Sequence, residues 1–253
     1  MLKDFTKVPF DIIVQAGQSN ARGTGFGTAS RPWNPHAGVW YLDQDGSISQ
    51  AAERVQENLI CGDFSLSFAR AYLEQGLLAP ERQLLIVRAA VGGTGFLDHR
   101  WGLQDDLFLQ LMDMTRTALA LHPENRLVAL LWHQGENDAD GSARDGLPTQ
   151  ASHYENLANL LREYRAKFGE VPFVAGDFVP QWIALRQPSR FLAPVRAAMR
   201  QICADSPSAA FVESEGLSSN DEAGIRAGDT VHFCREALYT FGERYFAAWL
   251  KLI

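Results

Sequence analysis

Cysteine is scarce in this 253-residue chain, and the few present are not arranged for chemistry. Cys61, Cys203 and Cys234 lie far apart with no C-x-x-C pair, so neither a zinc site nor a redox motif is supported. An odd count without tight spacing reads as a reduced protein. Positive charge is also short: 23 Lys and Arg against 30 Asp and Glu give a formal net charge of −7. That balance argues against a broad nucleic-acid surface and against docking on anionic lipid, so no nucleic-acid or membrane partner is expected. No apolar run approaches membrane-spanning length. Residues 1–10 (MLKDFTKVPF) lack the apolar core and small-residue cleavage site of a secretory leader, and a cytoplasmic location is expected. There is no P-loop, internal repeat or low-complexity linker. The glycine clusters at 23–27 and 92–95 do not fit the dinucleotide fingerprint.

What is present is an ordinary globular composition, 46% hydrophobic and 21% charged, enough to build a core without disulfide or metal. Short apolar runs alternate with longer amphipathic ones. Residues 10–16 (FDIIVQA), 83–90 (QLLIVRAA) and 126–132 (RLVALLW) read as buried strands. Weaker strands are expected at 38–42, 171–175 and 209–212. Apolar spacing predicts helices at 64–76, 105–121, 154–168, 194–204 and 234–252. Asp105 and Asp106 suit a helix start, and Pro194 is tolerable in a first turn. Strands alternating with helices imply βαβ units, a parallel sheet and helices on both faces, as one domain over 1–253. Two stretches, 22–35 and 139–148, read as long loops and as functional rims.

Four polar islands fall at or beside expected strand ends, where open α/β sheets place their sites. The first is Gly17-Gln18-Ser19-Asn20. A serine on a tight strand-to-helix turn is exposed, with its own amide on the same side, as a nucleophile requires; an ordinary helix-capping turn is the competing reading. The second is Gly92-Gly93-Thr94-Gly95, where missing side chains let backbone N–H groups approach a ligand; a plain turn is the commoner use. The third, Trp132-His133-Gln134-Gly135-Glu136-Asn137-Asp138, has no aliphatic residue at a strand end. Gln134 can present an amide to a developing oxyanion, and Glu136 and Asp138 can order the loop or hold a metal, the metal being the minority reading. His133 reads as a half-buried, satisfied histidine. The fourth is Asp229-Thr230-Val231-His232, where two intervening residues let a carboxylate reach Nδ1 of the histidine and leave Nε2 to take a proton.

Taken in order, GQSNARG, GGTGF…RW, WHQGENDA and DTVHF resemble the sialate O-acetylesterase-like group of the SGNH hydrolase superfamily, which also includes acetylxylan esterases. The resemblance implies a flavodoxin-like three-layer α/β/α sandwich. It implies Ser19 as nucleophile, His232 as general base and Asp229 as its orienting carboxylate. The oxyanion hole it implies is the Ser19 N–H, a backbone N–H at Gly93 or Gly92, and the Gln134 side chain. Gln18 and Asn20 would support the turn. Glu136 would brace Gln134 or the Ser19 turn, rather than serve as the carboxylate partner of the catalytic histidine. No metal or organic cofactor is implied. The expected substrate is a short acyl ester, most simply an O-acetyl group on a small sugar or oligosaccharide.

Arg100 and Trp101 are candidate rim residues, with Trp101 able to stack on a sugar. The bland alternative is that Trp101, like Trp33, Trp40 and Trp182, is simply core. Two other functions compete with the acetylesterase: a lipase- or thioesterase-like enzyme for longer acyl chains, and a noncatalytic carbohydrate-binding protein on the same fold.

Overall fold

The computed structural model describes residues 4–141, 146–187 and 190–253. In chain order the elements are β1 (Phe10–Gly17), α1 (Ser19–Arg22), β2 (Gly25–Phe26), β3 (Val39–Leu42), β4 (Ile48–Gln50), β5 (Arg54–Gln56), β6 (Leu59–Gly62) and α2 (Phe64–Glu74). There follow β7 (Gln83–Ala90), α3 (Asp106–Ala120), β8 (Arg126–His133), α4 (Glu136–Ala139), α5 (Gln150–Phe168), β9 (Phe173–Gly176), α6 (Pro180–Leu185), α7 (Leu192–Asp205), β10 (Ala209–Val212) and α8 (Arg235–Trp249).

Seven strands form the main sheet in the order β10-β9-β8-β1-β7-β3-β4, and every pairing is parallel except that of β3 with β4. The fold is the expected α/β sandwich. Its central strand shows why: all eight residues of β1 are buried, which requires cover on both sheet faces. Helix α2 packs on α8, α5 packs on α7, and α3 lies against β1 and β7. A second sheet, β2-β6-β5, is small and antiparallel.

Most expected elements are present with shifted ends. β7 and β10 match their expected limits, whereas α5 begins at Gln150 rather than 154. A capping box starts that earlier turn: Thr149 accepts from the Ser152 N–H while the Ser152 side chain accepts from the Thr149 N–H. β4, the strands of the small sheet and the short helices α1, α4 and α6 have no counterpart among the expected elements; at two to six residues they are too short to show a period. Of the two expected loops, 22–35 holds the last residue of α1, Arg22, and the two-residue β2. The second, 139–148, includes 142–145, which lie outside the described residues.

Register sets the site. Gly17 at the end of β1 is level with Ala90 at the end of β7 and with His133 at the end of β8. Three of the four polar islands therefore leave one edge of the sheet side by side. β1 and β8 flank the point where the strand order reverses, which is where doubly wound sheets open a crevice.

Candidate active site

The chain turns sharply at Gly17. Its φ is +130°, and a Cβ there would lie 2.1 Å from the His133 carbonyl oxygen, so only glycine fits. The next amide, Gln18 N–H, donates to that same carbonyl at 2.9 Å. The Gln18 side-chain oxygen accepts from the Asn137 N–H at 3.1 Å, tying the β1 turn to the β8 turn. Ser19 then opens α1, half-buried. It lines a cavity of about 530 Å³ together with Gly92, Gly93, Asn137, Trp182 and His232. Gly92 faces the serine directly: a Cβ built there would meet the Ser19 Cβ at 3.4 Å.

The fourth island lies far along the chain, between β10 and α8. His232 Nδ1 is 2.7 Å from Asp229 Oδ1. The other Asp229 oxygen accepts from Asn220 Nδ2 at 2.9 Å. Burial alone would raise the Asp229 carboxyl. The His232 contact, the Asn220 hydrogen bond and the nearby Arg226 charge outweigh it and hold the group below the usual carboxylate range. Asn220 also donates its backbone N–H to the His232 carbonyl at 2.9 Å, so one asparagine fixes both ends of the pair. With Nδ1 on a carboxylate, Nε2 is the nitrogen left for proton transfer.

Asn20 joins these parts. Fully buried, it donates through Nδ2 to Glu136 Oε1 (2.8 Å) and to the Val231 carbonyl (3.0 Å), and its Oδ1 accepts from the Phe233 N–H at 3.2 Å. One side chain thus bridges the serine turn, the β8 turn and the histidine loop. Glu136 Oε1 also lies 2.8 Å from His133 Nε2. Burial pushes the Glu136 carboxyl up, but the His133 charge and the hydrogen bonds from His133 and Asn20 bring it below its ordinary value. Of the two carboxylates weighed as partners for His232, Asp229 is the one in contact with it, whereas Glu136 accepts from Asn20 of the Ser19 turn.

Four expectations need correction. Gln134 does not face the cavity: its side chain is buried, and Nε2 donates to the Thr94 carbonyl (3.2 Å) and to Asp138 Oδ2 (2.9 Å), which uses both amide hydrogens. Trp101 is not rim: it is 1% exposed, its Nε1–H donates to Thr94 Oγ1 at 3.0 Å, and its ring packs edge-on to Trp132 at 4.9 Å. Arg100 turns away into a two-point ion pair with Asp106, at 2.8 and 2.9 Å. His133 is fully buried rather than half-buried.

Asp138 orders the glycine loop. Its carboxylate accepts from the Phe96 and Leu97 amides at 3.2 and 3.0 Å and occupies the space a Gly95 side chain would need. The cavity also has members that sequence reasoning did not assign to it. Asn137, inside the third island, lines the cavity in place of the expected Gln134. Trp182, expected in the core, is 2% exposed yet contributes to the wall, with Arg186 stacked on its ring at 4.4 Å.

The sequence matches the family described as carbohydrate esterase, sialic acid-specific acetylesterase, over residues 9–251. A curated relative, a probable 9-O-acetyl-N-acetylneuraminic acid deacetylase of Escherichia coli (strain K12), is 31% identical over 87 residues. That match spans 33% of this chain and 27% of the relative's length. Among solved structures, NanS superposes with a TM-score of 0.78 at 19% identity, covering 97% of this chain and 98% of that one. A carbohydrate esterase family 3 protein from Talaromyces cellulolyticus gives 0.55 at 10% identity, covering 96% and 97%. A carbohydrate acetylesterase from Xanthomonas citri gives 0.53 at 15% identity, covering 94% of this chain and 55% of that one. At such identities these likenesses speak for the fold. The match over residues 9–251 settles the family: this chain belongs to the carbohydrate esterases of the sialic acid-specific acetylesterase family.

Proposed function

We propose that the chain is a serine esterase that removes O-acetyl groups from a carbohydrate through an acyl-enzyme. The observation that carries this reading is that His232, 2.7 Å from Asp229 through Nδ1, lines the same cavity as Ser19. In this mechanism Ser19 Oγ attacks the acetyl carbonyl while His232 Nε2 accepts the hydroxyl proton. Asp229 holds the imidazole in the required tautomer and stabilises the imidazolium that forms. The alcohol leaves with the proton from His232. Water, deprotonated in turn by His232, releases acetate and restores Ser19.

The oxyanion donors in this reading are the Ser19 N–H, the N–H of Gly93 or Gly92, and the side-chain amide of Asn137. Asn137 replaces Gln134 because it lines the cavity and Gln134 does not. Among the described residues its Nδ2 makes one long contact, 3.4 Å to Asp98 Oδ2, which leaves an amide hydrogen for a substrate. One such donor accounts for about 10²–10³ in rate.

Gln18, Asn137, Asp140, Arg186 and Thr230 share the wall with Trp182 and Val231, a mixed lining that suits an acetylated sugar better than a long acyl chain. An O-acetylated sialic acid, the compound class named for the Escherichia coli relative, is the substrate to try first. The reading takes residues 1–253 as one esterase domain, supported by a continuous core from β1 to α8. It places that domain in the cytoplasm, supported by three buried, unpaired cysteines. Among the described residues, no helix is long and apolar enough to cross a membrane.

The test is hydrolysis of p-nitrophenyl acetate and acetate release from an O-acetylated sialic acid, for wild type and Ser19→Ala. Loss of both activities in the variant is expected. Equal activity in the two proteins overturns the reading.

A further inference from the structure

Beside the Ser19 cavity lies a second one, of about 350 Å³, whose wall carries Arg22, Arg54 and Arg88 against Asp43 and Asp45. On that wall three guanidiniums meet two carboxylates, and buried Asp63, outside the lining, also acts on Arg88; the lining itself is net positive in a chain of net charge −7. Such an excess, set in a concave surface, draws an anion.

Two of the arginines are held in place. Arg88 is 8% exposed, donates through Nη1 to Asp43 Oδ1 (2.9 Å) and through Nη2 to the Arg22 carbonyl (3.0 Å), and lies over the Tyr41 ring at 4.5 Å. Its Nε is buried with no hydrogen-bond partner among the described residues. Arg54 Nη2 donates to the Arg22 and Gly23 carbonyls at 2.6 and 2.8 Å. Arg22 itself is exposed. A guanidinium fixed in advance loses little freedom when it takes a ligand, and its planar fork matches a carboxylate.

The two cavities adjoin along the chain. Ser19 and Arg22 are the first and last residues of α1, about 5 Å apart along its axis. Val91 lines the arginine cavity, and the next two residues, Gly92 and Gly93, line the serine cavity. A single helical turn therefore separates Ser19 from the Arg22 carbonyl, to which both Arg54 and Arg88 are hydrogen-bonded.

Given the acetylesterase reading, the geometry points to a carboxylate subsite: the arginine cavity receives the carboxylate of an acidic sugar whose O-acetyl group lies against Ser19. Neutral acetylated sugars, xylan fragments included, have no group to fill it.

The test compares acetate release from an O-acetylated sialic acid and from its carboxamide, which keeps the shape and removes the charge. Wild type should favour the free acid by about tenfold in kcat/KM, chiefly through KM. Added salt should shrink that preference. Arg22→Gln and Arg54→Gln should each bring the ratio toward one. Arg22 is exposed, so its replacement leaves the core intact. Equal turnover of acid and carboxamide by wild type overturns the subsite. So does a preference that survives in both variants, and its loss in Arg186→Gln would then move recognition to the serine cavity. Ser19-dependent hydrolysis of p-nitrophenyl acetate without any acid preference removes the subsite and leaves the esterase standing. Hydrolysis that persists in Ser19→Ala removes the esterase reading itself.

Discussion

The two ends of the central strand β1 carry buried polar groups of opposite design. At its start, Asp11 is fully buried and closed on all sides: it accepts from Tyr72 (2.7 Å), Arg82 (2.6 Å) and Arg126 (2.6 and 3.0 Å). Burial pushes the Asp11 carboxyl up, yet those hydrogen bonds and the Arg126 charge bring it below its ordinary value. At the other end, Gly17 hands over to Ser19, which is half-buried on an open cavity. One end uses its polar groups on each other. The other spends the Gln18, Asn20 and Glu136 contacts on holding a hydroxyl, and on the reading proposed here that hydroxyl meets substrate. The same strand thus separates stability from function, and substitutions at its two ends should separate them in measurement.

The largest effect is expected at the open end. Ser19→Ala should lower kcat for p-nitrophenyl acetate by about four decades or more while leaving the melting temperature within a few degrees of wild type. Asp229→Asn should cost about 10³–10⁴-fold in kcat, because an amide no longer favours the required imidazole tautomer. Next comes Asn137→Ala, with a loss of about 10²–10³ in kcat and little change in KM, since the donor acts on the oxyanion. Steady-state kinetics with thermal melts on the same samples would check all three.

The closed end should behave in reverse. Asp11→Asn should destabilise the protein by about 3–5 kcal/mol at neutral pH, because it breaks a buried ion pair, with kcat of the folded fraction unchanged. The Asp11 pKa is lower folded than unfolded, so its stabilisation is present above the unfolded pKa, about 3.9, and is lost as pH falls through the folded value. The gap between wild type and variant in urea titrations should therefore be wide at pH 7 and narrow below pH 4. Matching loss of kcat at both ends of β1 would break the comparison. The smallest contrast concerns acyl length: p-nitrophenyl acetate should be favoured over butyrate and octanoate, by a margin that grows with chain length.

Much of this was legible in the sequence. The buried runs that became β1, β7 and β8 stand out because parallel strands covered on both faces are apolar throughout. The Asp229–His232 contact follows from a two-residue spacing. What periodicity misses is what depends on neighbours distant in the chain. Gln134 and Asn137 are three residues apart on one turn, and only the presence of Thr94 and Asp138 decides that Gln134 turns inward. Trp101 fits a rim until its hydrogen bond to Thr94 and its packing on Trp132 are seen. The arginine cavity gathers Arg22, Arg54 and Arg88 from three separate elements, and no linear motif marks it.

The central claim is that Ser19 is a nucleophile activated by His232. The most direct measurement is labelling with a fluorophosphonate, followed by mass spectrometry of the peptides and by residual esterase activity. The account predicts one label, on Ser19, rising in step with loss of activity and greatly slowed in His232→Ala. Full activity with Ser19 stoichiometrically labelled, or inactivation with the label on another residue, would contradict it.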